Sequence, residues 1–155
     1  MSACPRPTLT PLCSIECAVS PLVTLGDAPA GERRFVPLGA GRVWGPGLRG
    51  ELVAGGVDWQ WRRPDGVLEI SAHYAVRCPD GGIVEIRSDG LRHGDAEVMA
   101  ALARGEAVAA DRYFFRTFVR FTTGAAAWGH LNRTMAVASG ARSAAGVELA
   151  FYELG

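Results

Sequence analysis

The sequence predicts an all-β fold, a single antiparallel β-barrel of about eight to ten short strands with one short helix. Three observations lead there. Runs rich in Val, Ile, Thr, Phe and Tyr recur along the chain, many alternating apolar and polar residues as half-buried strands do. Clusters such as DAPAG, GPG, PDG and PDGG separate those runs and read as tight turns. Glycine also sits inside the runs, where it favours the bulges and kinks that curve a sheet into closure. No strand–helix–strand alternation supports a parallel sheet.

The totals bound the function. At 155 residues, 48% apolar and 21% charged, the chain is one globular domain able to bury a core. Sixteen basic and sixteen acidic residues cancel, so no overall field attracts nucleic acid or an anionic membrane. Cys13 and Cys17 have a CxxxC spacing, but with Cys4 and Cys78 they form no second close pair, and no nearby His completes a zinc set. Reduced thiols and no metal site are the expectation. The first residues lack a leader pattern, and no run approaches the roughly 20 apolar residues that span a bilayer. A cytoplasmic protein without nucleic-acid or membrane partners is expected.

In chain order, residues 1–11 are proline-rich and read as a flexible tail ahead of a single barrel domain over 12–155. Residues 12–25 read as a strand pair or one bent strand, and DAPAG turns into a short strand over 32–38 that Pro37 and the following glycines should end. The glycine-dense block 39–56 splits at Gly45-Pro46-Gly47 into strands over 42–44 and 48–54. Another strand covers 57–63. Residues 67–78 alternate, with Ile70, Ala72, Tyr74 and Val76 on one face and Glu69, Ser71, His73 and Arg77 on the other. A strand over 83–88 follows. Asp95 can cap a short helix ending at Gly105, whose narrow stripe at Val98, Ala101 and Leu102 suits docking on a sheet or plugging an opening. Residues 113–123 are a strand with large residues on both faces. Two more strands, 131–139 and 147–154, flank a Gly/Ala/Ser loop.

Asp58 is the residue most able to carry chemistry. It follows Gly55-Gly56-Val57 inside an apolar, aromatic run; if Val57, Trp59 and Trp61 face one way, Asp58 and Gln60 face the other. A lumen position would make it a desolvated acid suited to proton transfer, whereas a structural position would tie it to backbone N–H groups or an arginine. Arg116, between Phe114 and Phe118, needs an acceptor, which places it inside the barrel against Asp58 or a ligand oxygen. Tyr74 extends a hydroxyl from an apolar face; it is either a third catalytic group or a core tyrosine. Trp59, Tyr113, Phe114, Phe118, His130, Asn132 and Tyr152 are candidate substrate contacts, with Asn132 equally readable as a turn residue. No Ser/His/Asp, Cys/His, dinucleotide or phosphate-loop pattern is present, so no cofactor is expected.

The ordered blocks GERRFVPLGAG, WGPGLRGELVAGGVDWQ, AHYAVRCPDGGIVEI, DGLRHG, DRYFFRTFVRFTTG and WGHLNRTMAVASG resemble the DUF3237 (UPF0311) family from about Gly31 to the C-terminus. The resemblance implies an antiparallel barrel, often a homodimer, in a family largely without assigned activity. Some fungal relatives are thought to close an oxygen ring by hydroalkoxylation without a cofactor. One departure is Gly39-Ala40-Gly41, where the family usually shows paired glycines; alanine is costly there only if position 40 needs a positive φ. The functional expectation is a cofactor-independent cyclase or isomerase acting by acid/base chemistry on a small hydrophobic, oxygenated, polyketide-like metabolite. The alternatives are a non-catalytic, lipocalin-like carrier and an interaction barrel filled by its own side chains.

Overall fold

The computed structural model describes residues 2–143 and 145–155. Nine strands run β1 (Leu9–Val19), β2 (Val23–Ala28), β3 (Gly31–Trp44), β4 (Gly50–Arg62), β5 (Leu68–Arg77), β6 (Ile83–Gly94), β7 (Tyr113–Thr123), β8 (Met135–Ser143) and β9 (Gly146–Leu154). All pairings are antiparallel, in the order β1-β9-β8-β7-β6-β5-β4-β3, and β1 pairs back onto β3 to close an eight-stranded barrel. β2 is an extra strand hydrogen-bonded only to the first half of β3. Closure satisfies the edge hydrogen bonds that an open sheet of this width would expose. The helix α1 (Ala96–Ala103) follows β6, and a 3-10 segment (Ala126–Arg133) precedes β8. No described helix is long and apolar enough to cross a membrane.

The strands are longer than the sequence implies because internal glycines bend them instead of ending them. Residues 32–38 and 42–44 form one strand, β3, whose pairing with β4 shifts between Pro37 and Gly41. Residues 48–54 and 57–63 likewise merge into β4. There Val53 pairs with Ala75 and Val57 with His73, so Ala54, Gly55 and Gly56 all stand opposite Tyr74. A side chain on Gly56 would meet the Tyr74 Cβ at 2.6 Å, so glycine is what lets this bulge press against Tyr74. Ala40 adopts no positive φ, so alanine costs nothing in backbone strain at that position.

Other boundaries moved too. Leu9, Thr10 and Pro11, read from sequence as tail, pair with Leu154, Glu153 and Tyr152. β6 continues past Ser88 to Gly94; at Gly90 any Cβ would collide with the Arg116 carbonyl, so the glycine marks close strand approach instead of a turn. Leu131, Asn132 and Arg133 lie in the 3-10 segment and not in a strand. β8 runs on through Ser143, into the expected loop. Met1 of the expected tail and Ala144 of that loop fall outside the described residues.

The lumen is filled from two directions. A large cluster including Leu12, Leu48, Val76, Val84, Ile86, Phe121, Leu131 and Phe151 packs the end near the Gly45–Gly47 turn. A smaller one joins Val98 and Leu102 of α1 to Ile70, Tyr113 and Phe115, so the helix plugs the opposite end as its stripe suggested. Cys13, Cys17 and Cys78 are free buried thiols, and Cys4 is exposed.

Candidate functional site

Strand register stacks the polar lumen residues in layers. Val36, Asp58, Ala72 and Ser88 are successive cross-strand partners on β3 to β6. The next layer towards α1 holds Arg34, Gln60, Ile70, Gly90 and Thr117. Beyond it come Arg62, Leu68, Arg92 and Phe115. Side chains two apart on a strand share a face, so Asp58 and Gln60 point inward together while Trp59 points out.

Hydrogen bonds connect the layers. Arg34 Nε donates to Gln60 Oε1 at 3.0 Å, and Gln60 Nε2 donates to Asp58 Oδ2 at 2.7 Å. Between the neighbouring strands β6 and β7, Ser88 Oγ donates to Thr117 Oγ1 at 2.7 Å. The second carboxylate oxygen, Asp58 Oδ1, is sealed from solvent with no hydrogen-bond partner in the protein, and so is the Tyr74 hydroxyl. Both residues line one mostly apolar cavity of about 50 Å³, shared with Ser88, Thr117 and Cys17. That volume takes roughly one to three waters, or the reacting end of a larger molecule.

Burial dominates the electrostatics. It pushes the Asp58 carboxyl up to about 6, although the Gln60 hydrogen bond and the charges of Arg92, Arg34 and Arg142 pull it down. Tyr74 is driven well above the usual phenol range, first by burial and then by Cys13, Cys17 and Asp58. Asp58 therefore exchanges protons near neutral pH, whereas Tyr74 stays a neutral hydroxyl able to donate a hydrogen bond. Among the described residues no three His, Cys, Asp or Glu side chains are grouped to hold a metal ion.

Asp58, Tyr74 and Tyr113 of the sequence-derived candidates face the lumen. Tyr113 sits in the α1 cluster, its hydroxyl accepting from the Arg142 N–H at 2.8 Å. Arg116 does not join them. It lies on the outer face of β7, where one guanidinium nitrogen donates to the Phe115 carbonyl, and Phe114 and Phe118 flank it at 42% and 67% exposure. The sequence reading chose the wrong face. The inward one, Tyr113, Phe115, Thr117, Val119 and Phe121, carries no charge, and burying two arginines instead would cost far more than exposing two phenylalanines. Trp59 is likewise external, its ring tilted 44° against Phe35 at 4.8 Å between centres, with Arg33 over it. Tyr152 pairs across the outer face with Pro11 and Val137. Asn132 uses both ends of its amide on the Thr123 backbone, the structural role open to it, and His130 is exposed in the same 3-10 segment.

A family model described as "Protein of unknown function (DUF3237)" matches residues 7–154, nearly the whole chain. The chain belongs to the DUF3237 family. A UPF0311 protein of Rhodopseudomonas palustris is 34% identical over 131 residues, covering 84% of this chain and 86% of the relative. A UPF0311 protein of Bradyrhizobium diazoefficiens is 36% identical with the same coverage. The crystal structure of a conserved protein of unknown function from Rhodopseudomonas palustris superposes with TM-score 0.91 at 31% identity, covering 98% of this chain and 99% of that one. A β-barrel-like protein from Acinetobacter baumannii does so at 0.85 and 31% identity over the full length of both. An enzyme from Penicillium herquei shares the fold at TM-score 0.75 and 19% identity, again over both full lengths.

In this DUF3237 chain the residues around Asp58 that sequence reasoning missed are Arg34, Arg92 and Arg142, while Gln60 was placed on the Asp58 face but given no role. Arg92 was hidden by Gly90, which looked like a strand end.

Proposed function

We propose that the protein is a small-molecule-binding barrel that catalyses a cofactor-independent proton transfer, of the cyclase or isomerase type, on a hydrophobic oxygenated metabolite. The observation that carries this reading is the pairing of two buried, unpartnered polar atoms, Asp58 Oδ1 and the Tyr74 hydroxyl, on one apolar cavity. A fold with no use for these atoms would leave neither of them desolvated, because each lost hydrogen bond costs about 1–3 kcal/mol. Perturbed, strain-bearing acids of this kind concentrate at functional sites. The full-length fold shared with an enzyme from Penicillium herquei is consistent with it.

For a ring closure the roles follow from the chemistry. The Asp58 carboxylate takes the proton of a substrate hydroxyl as that oxygen bonds to the terminal carbon of an enone. The alkene electrons move to the carbonyl oxygen, which accepts a hydrogen bond from the Tyr74 hydroxyl. Asp58 then returns its proton to the enolate carbon, so the overall change is an isomerisation. A panel of hydroxy-enones, aliphatic and phenolic, followed by NMR for cyclisation and for deuterium uptake from D2O, tests this. General acid/base catalysis contributes about 10²- to 10⁴-fold, so Asp58→Asn should lower turnover by that factor. Full turnover in Asp58→Asn would remove the acid/base assignment, and tight binding without chemistry in the wild type would make the protein a carrier.

A further inference from the structure

Beside the α1 plug, the barrel rim opens into a cleft of about 680 Å³ between the helix and the β4–β5 turn. Its charged lining is almost all cationic: Arg34, Arg62, Arg92 and Arg104, with His93 alongside. The one carboxylate on the lining, Asp65, is already engaged, accepting from Arg63 Nε and from the Val67 N–H, each at 3.1 Å. Val67, Leu68, Met99 and Ala100 supply apolar wall between the charges.

Arg92 stands out within this lining. It is only 8% exposed, its Nε has no hydrogen-bond partner, and its guanidinium lies 5.8 Å from the Phe115 ring centre. Burial first, then the like charges of Arg142 and Arg34, push it down to about 10, with the charge of Asp58 acting the other way. Arg34 is better served, having Gln60 and, at 3.4 Å, Glu32. Arg92, Arg34 and Arg142 thus share the charge of Asp58, only Arg34 having Glu32 besides, and the imbalance grows when Asp58 is protonated. A buried guanidinium with an idle donor is costly, and an anion is what relieves it.

We propose that this cleft is an anion site for an organic carboxylate with an apolar body, gripped by Arg92 with help from Arg34. The planar guanidinium fork matches a carboxylate's two oxygens, and the apolar wall between the arginines suits a hydrocarbon or aromatic body better than inorganic phosphate. The layer of Arg34 and Gln60 stands between cleft and cavity, so a carboxylate gripped by Arg92 lies two layers from Asp58. That the anion belongs to the substrate deepens the proton-transfer reading and rests on it; the anion site itself does not.

The test is calorimetric titration of the full chain with 2-naphthoate, its neutral counterpart 2-naphthamide, and inorganic phosphate. The wild type should bind naphthoate at least about tenfold more tightly than naphthamide, and more tightly than phosphate. Arg92→Met, which keeps the packing of the stem, should abolish the preference, and the outward Arg116→Met should keep it. Equal binding of acid and amide overturns the proposal, as does a preference that survives Arg92→Met. Phosphate binding as tight as naphthoate overturns the organic-acid class. If Arg92→Met does not fold, the wild-type comparison still decides, and Arg92→Lys should weaken naphthoate several-fold by losing the fork. Asp58→Asn should retain the naphthoate preference, so loss of the acid/base reading and loss of the anion site are separate results.

Discussion

The two ends of the barrel interior are built from opposite materials. Towards the Gly45–Gly47 turn the lumen holds Leu12, Leu48, Val84, Leu131 and Phe151, all buried and all apolar. Towards α1, beneath the apolar contacts of the helix, β3, β4, β6 and β7 carry Asp58, Gln60, Arg34, Ser88, Thr117 and Arg92. Nothing about strand geometry requires this, since alternation fixes only which side chains enter, not their chemistry. The packed end supplies the driving force for closure and the polar end spends part of it. A barrel that needed only to fold would carry leucine or valine in place of Asp58 and Arg92.

Breaking the packed end should have the largest effect. Phe151→Ala removes a side chain that is 1% exposed at the centre of the larger cluster and should cost about 3–5 kcal/mol in denaturant unfolding. The polar end should behave in the reverse sense. Asp58 is raised from 3.8 to about 6 on folding, so the native state holds a proton that the unfolded chain has released across that interval. Its contribution is fully present below about pH 4 and lost by about pH 6; a shift of this size corresponds to about 3 kcal/mol at neutral pH. Asp58→Asn should therefore stabilise the protein at pH 7 by about 1–3 kcal/mol, a rise of several degrees in Tm. The gain should shrink to nothing at pH 4. A destabilised Asn variant at pH 7 would mean that Asp58 is a structural anchor and that the two ends do not differ as described.

Smaller changes sharpen the contrast. The Tyr74 hydroxyl has no partner in the protein, so Tyr74→Phe should leave stability unchanged or raise it by up to about 1 kcal/mol while lowering any turnover. A loss of more than that would show that the hydroxyl is satisfied in solution. On the outer face, Phe118→Ser should change stability by less than about 0.5 kcal/mol, because its ring is already 67% exposed.

How much of this was legible depends on the signal each feature leaves. The closed antiparallel barrel followed from turn chemistry and alternation, which are local, and β7 was bounded correctly at Tyr113 and Thr123. Asp58 and Tyr74 were found because each breaks a pattern within its own strand. The face of β7 was misread because both faces carry aromatics, and the attraction of a buried arginine outweighed the simpler rule that the charge-free face goes inside. Arg92 and Arg34 left almost no mark, because their meaning comes from β3, β4 and β6 meeting at one end of the barrel. Glycine was the least legible residue of all: at Gly56 and Gly90 it serves close strand approach, which sequence cannot tell from a turn.

The bulge at Ala54–Gly56 inserts two residues relative to its partner strand, and Leu52 before it and Asp58 after it point the same way. Deleting Gly55 alone would leave two residues opposite Tyr74, an ordinary one-residue bulge, with Val57 still facing His73 and Asp58 still facing Ala72. The corner therefore works as slack in the chain: length can change there while the acid stays on the lumen side.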